Sequence, residues 1–145
     1  MTDIEKAKEL YRNGEYICVL CKGDIVHVST DRGIAPMLSF IASGVNLNGF
    51  SAADKIIGRA AALLFVHAGV CEVYAEVISS HAAAVFEKHH VKFSSDALAD
   101  SIINRTGTGP CPMEESVKNI DNPSDAFEAI SNALTVLKNM RREAV

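Results

Sequence analysis

Residues Ser51–Ala68, SAADKIIGRAAALLFVHA, constrain this chain more than any other stretch. Wound as a helix, the segment is apolar nearly all round. Gly58, Ala60, Ala61 and Ala62 are small, while Ile56, Ile57, Leu63, Leu64 and Phe65 are large. A helix without a polar face must be enclosed, so the pattern predicts a central helix. Its small residues would let it approach a sheet closely. Ser51 with Asp54 three residues on matches an N-terminal capping pattern, and Gly69 marks the end. Enclosing such an element takes ample apolar material. The 145 residues, 48% hydrophobic, suffice for one domain with a real core, residues 1–145.

The flanking segments predict an α/β order. Asp3–Asn13 reads as a short amphipathic helix ended by Gly14. Tyr16–Cys21 is apolar on both faces, as an interior strand is. The turn signal Lys22-Gly23-Asp24 leads to a return strand, Ile25–Ser29. Ile34–Ala42 is read as a helix with Pro36 in its first turn. Val70–Ile78 is a strand, with Cys71, Val73, Ala75 and Val77 on one face and Val70, Glu72, Tyr74, Glu76 and Ile78 on the other. His81–His89 is read as a helix capped by Ser79 or Ser80, Val91–Phe93 as a short strand and Ser95–Asn104 as a helix. A short helix from Pro112 to about Ile120 follows, then one from Pro123 to about Arg141, capped by Asn122, with a stripe of Phe127, Ile130, Leu134, Leu137 and Met140. The order implies a three-layer α/β/α domain with a mixed sheet.

Charge and cysteine usage exclude several classes. A net charge of −4 with scattered lysines and arginines gives no basic surface for nucleic acid. No apolar run reaches membrane-spanning length. The charged start MTDIEKAKEL does not read as a signal peptide, so a cytoplasmic protein is expected. Cys18 and Cys21 have CxxC spacing, but in a strand positions i and i+3 point to opposite faces. No second pair completes a zinc set, so buried structural thiols are expected.

The strings DKIIGRAAALLF, VYAEVIS and INRTGTGPCPMEE, in this order of elements, resemble an uncharacterised prokaryotic family, domain-of-unknown-function family 1893. The resemblance covers most of the chain and implies a cytidine-deaminase-like fold. Zinc deaminases carry His/Cys-x-Glu at one helix start and Pro-Cys-x-x-Cys at the next. The corresponding places here hold Asp54-Lys55 and Ser79-Ser80-His81-Ala82, and Glu114 stands where a second cysteine would follow Pro110-Cys111. The resemblance therefore implies the scaffold without zinc or zinc-dependent deamination.

Three corners are expected to converge at strand ends and helix starts: Ser51–Lys55, Glu76–His81 and Arg105–Glu115. Lys55 would aim a charge at a phosphate or carboxylate, or lie solvated. Glu76 would face a ligand or partner, or form part of a wet surface. His81 would act as acid or base, or as polar surface. Pro112 fits the first position of a helix with Cys111 as its cap and Glu114 at the third position. A thiol at a helix start gains nucleophilicity, which Glu114 and Glu115 oppose. Thr106, Gly107, Thr108 and Gly109 offer backbone N–H groups, and Arg105 beside them a phosphate clamp. These residues, with Asp54 and Ser79, compose a candidate pocket for a nucleotide or other phosphate-bearing small molecule. The alternatives are a metal-independent transferase or hydrolase using Cys111 or Glu76, and a structural or regulatory homodimeric module built on the alanine-rich and C-terminal helices.

Overall fold

The computed structural model describes residues 1–100 and 112–143. Helix α1, Asp3–Arg12, opens with a reciprocal cap: the Glu5 N–H donates to Thr2 Oγ1, and the Thr2 N–H donates to Glu5 Oε2. A hairpin follows, β1 (Cys18–Lys22) and β2 (Ile25–Ser29), then α2 (Ala35–Ala42). Strand β3 is Ser51–Ile57, and α3 is Arg59–Ala68. Strand β4 (Glu72–Ser79) leads into α4 (Ser80–Lys88), and β5 is Lys92–Ala99. Short α5 (Pro112–Ser116) and long α6 (Pro123–Glu143) complete the order. Asn122 Oδ1 caps α6 by accepting the Ser124 and Asp125 N–H groups, as its sequence predicts.

The strands form one open mixed sheet in the order β2-β1-β3-β4-β5. Strand β1 runs antiparallel to β2 and β3, whereas β3, β4 and β5 run parallel. Helix α1 packs on β1, β3 and β4. There Ala7 and Tyr11 meet Val19, Cys21, Ala53 and Tyr74. The larger core lies on the other face, where Cys18, Leu20, Ala52, Val73 and Ala75 meet α3 and α4, with α6 packed in turn on α3. Leu63, Leu64, Phe65 and Phe86 are fully buried there, each contributing about 1.5–3 kcal/mol.

The central helix predicted for Ser51–Ala68 is two elements. Its first seven residues are a strand, and Gly58, extended at φ −97 and ψ −177, separates it from α3. The Ser51–Asp54 spacing therefore caps nothing: both residues are buried in β3. Both neighbours of β3 and both its faces are occupied, so tertiary pairing overrides the helix preference of its alanines. Enclosure of the apolar segment is as expected, and Gly69 ends α3 at φ 83. The helix expected from Ser95 is strand as far as Ala99, paired with β4 along its length. The remainder of that expected helix lies outside the described residues. Strand β4 alternates as predicted up to Glu76, but Ile78 joins the core with Val73 and Ala75.

Candidate functional site

Strands β3 and β4 run parallel, so the helices after them start on the same rim of the sheet. The α3 start has no side-chain cap of its own, because Gly58 has none to offer. Glu114 of α5 fills the gap: its Oε2 accepts the Ala60 N–H at 3.0 Å. Burial pushes the Glu114 carboxyl above its ordinary range, against the pull of the Ala60 and Arg59 amides and the His81 and Arg59 charges. Ser79 caps α4 by accepting the Ala82 N–H at 3.0 Å. His81 is exposed in the first turn of α4. The arrangement is one carboxylate seated where a helix dipole favours negative charge, with an imidazole beside it.

Arg59 braces this corner from below. Its Nε donates to the Val117 carbonyl at 3.0 Å, and its Nη2 reaches the Ile120 carbonyl and, at 3.0 Å, Asp121 Oδ1. Lys88 approaches Asp121 Oδ2 at 3.6 Å. These groups border a recess of about 150 Å³ between α3 and α4, lined also by Leu63, Val85 and His89. A larger hollow of about 480 Å³ opens at the opposite rim, where β4 and β5 begin, among Glu72, Phe86, His90 and Phe93.

The sheet divides the residues that the sequence places in one pocket. Ser79 and His81 lie at the start of α4, and the His81 charge acts on Glu114 at the start of α3. Lys55 is not in a helix but in β3. The pairs Asp54–Ala75 and Ile56–Val77 set it beside Glu76 on β4, on the α1 face. Glu76 Oε1 there accepts the Tyr11 hydroxyl at 2.5 Å, and burial together with Glu76 raises the Tyr11 pKa. Tyr74 likewise donates to Asp96 Oδ2 at 2.6 Å. Asp54 joins neither group. It is 2% exposed, on the larger-core face opposite Cys18. Its Oδ1 accepts the Lys55 N–H at 2.7 Å, and its Oδ2 has no partner among the described residues. Arg105, Thr106, Gly107, Thr108, Gly109 and Cys111 lie outside the described residues.

Sequence reading missed Arg59 and the reach of Glu114. Reading the helix as starting near Ser51 hid Gly58 as the true break, and with it the bare helix end that needs an acceptor. The helix start assigned to Asp54-Lys55 by analogy with deaminases falls instead at Gly58-Arg59. Cys18 and Cys21 are buried in different cores, on opposite faces. Among the described residues no group of three or more His, Cys, Asp or Glu side chains could hold a metal ion.

The fold is thus an α/β domain on a five-stranded mixed open sheet, with its polar constellation where two helices start. The chain belongs to the family of the domain of unknown function DUF1893, TM1506, whose model matches residues 6–134. A DUF1893 family protein, TM1506, from Thermotoga maritima has a similar crystal structure: TM-score 0.81 at 22% identity, over 91% of this chain and 90% of that one. That likeness establishes a shared fold. None of the curated proteins matches this chain. No helix among the described residues is long and apolar enough to cross a membrane.

Proposed function

We propose that this protein binds the phosphate or carboxylate group of a small molecule at the paired starts of α3 and α4, using N–H groups and His81 rather than zinc. The observation that carries the reading is the carboxylate of Glu114 on the Ala60 N–H. The chain's own anion sits where a ligand's anion would be stabilised by the same dipole and donor. Size narrows the ligand. Pockets that enclose whole cofactors measure about 300–1,000 Å³, whereas the neighbouring recess is about 150 Å³. A nucleotide would therefore be held by its phosphate, with the base outside. The deaminase-like scaffold expected from the sequence fits this reading, because ligands of open α/β sheets gather at the carboxyl rim.

The test is amide NMR titration of the wild type and Glu114→Ala with inorganic phosphate and a panel of nucleoside monophosphates. Saturable shifts at Ala60 and His81, tighter in Glu114→Ala because the competing carboxylate is gone, are expected. Absence of shifts at both residues in both proteins overturns the proposal.

A further inference from the structure

We propose that the outer edge of β5 pairs with the same edge of a second copy of this chain, antiparallel about a two-fold axis through Ser94. Strand β5 is the last in the sheet, and among the described residues no strand pairs with its outer side. It spans eight residues without proline, and its row of edge N–H and C=O groups is a template for another strand. The opposite edge, β2, has five residues.

The two charged side chains of β5, Lys92 and Asp96, lie symmetrically about Ser94. In a two-fold antiparallel pair the axis is perpendicular to the sheet, so residues opposite each other share a face. Their numbers must then be both even or both odd. Centring on Ser94 sets Lys92 against Asp96 of the second copy, and the symmetry makes that contact twice. Lys92, Ser94 and Asp96 are all exposed. They project on the α1 side, because Ser94 is level with Tyr74. Helix α1 packs on β1, β3 and β4, and among the described residues nothing buries Lys92, Ser94 and Asp96 on that face of β5. Opposite charges directly across a strand pair stabilise it, and like charges oppose it. Centring on Ser95 would waste both charges, placing Lys92 against Leu98. Centring on Asp96 would oppose two carboxylates. Strand β2 has no equivalent register, since Ile25–Ser29 contains no Lys, Arg, Asp or Glu. Charge complementarity thus selects both the edge and the register.

Sedimentation equilibrium of the full chain tests this, with circular dichroism to verify folding. The wild type is expected to dimerise, and Lys92→Glu to raise the dimer Kd at least tenfold. The swap Lys92→Glu with Asp96→Lys should bring dimerisation back. Because the axis passes through residue 94, Ser94→Cys should form a covalent dimer on oxidation, beyond any formed by the wild type. A monomeric wild type, or a dimer unchanged by Lys92→Glu, overturns the inference, as does a folded Ser94→Cys that does not cross-link.

Discussion

Asp54 is the residue most at odds with its surroundings. It is 2% exposed, and one carboxyl oxygen has no partner among the described residues. Burial, only partly offset by the Lys55 N–H, pushes its pKa from 3.8 up to about 8. The folded chain therefore holds a proton at Asp54 that the unfolded chain has released at any pH between those values. Stability from this group is fully present below the unfolded value, falls as pH rises, and levels off above about 8. The slope is at most about 1.4 kcal/mol per pH unit. Denaturant midpoints measured from pH 5 to 8 should fall accordingly, and Asp54→Asn, which carries no ionisable proton, should flatten the profile. An unchanged profile in Asp54→Asn would show that other groups set the pH dependence. Sequence reading singled out Asp54 as a pocket residue from its apparent place in a helix. The strand turns it into the larger core opposite Cys18, and no local pattern signals that.

At the scale of elements, Glu114 and Gly69 mark the two ends of α3. Removing the Glu114 acceptor leaves the Ala60 N–H unsatisfied in a partly buried corner. Glu114→Ala is expected to cost about 0.5–2 kcal/mol, the range for a lost N-cap, while Glu114→Gln keeps an acceptor and should cost less. Urea unfolding of both variants measures the difference. At the other end, Gly69 has φ +83, and a Cβ would come within 2.5 Å of Asn48 Oδ1. Gly69→Ala should therefore destabilise by more than about 1 kcal/mol, lowering Tm by a few degrees. Much of the element order was legible: α1, the β1–β2 hairpin, β4, α4 and α6 follow from periodicity and caps. What failed were β3 and the part of β5 beyond Phe93; the predicted strand Val91–Phe93 does cover the first residues of β5. Ala52 and Ala53 carry no strand preference, and they fit β3 because neighbours press on both sides. Ser94–Ala99 is short-chained and polar at an edge, and its pairing with β4 alone makes it a strand. The site was legible in part, through Ser79 and His81. Its partner Glu114 comes from a segment distant in sequence, which no spacing rule connects to Ala60.

For the whole molecule, Arg59 joins the sheet-bearing part of the chain to its C-terminal helices. It donates to Val117, Ile120 and Asp121, beside an Asp121 that also holds Lys88. A planar fork makes these bonds together, and an ammonium cannot. Arg59→Lys should thus behave almost as badly as Arg59→Ala, with both losing about 2–3 kcal/mol. Amide exchange would locate the damage, with α5 and α6 opening sooner and β3 and β4 remaining protected. The two faces of the sheet carry one further consequence through their thiols. Cys18 and Cys21 are sealed in separate compartments, and Cys71 is exposed. Against a thiol-specific reagent these residues form a three-stage clock. Cys71 is labelled at once, Cys21 when α1 lifts, and Cys18 only when the opposite layer parts, so timed mass spectrometry reads which side of the sheet gives way first.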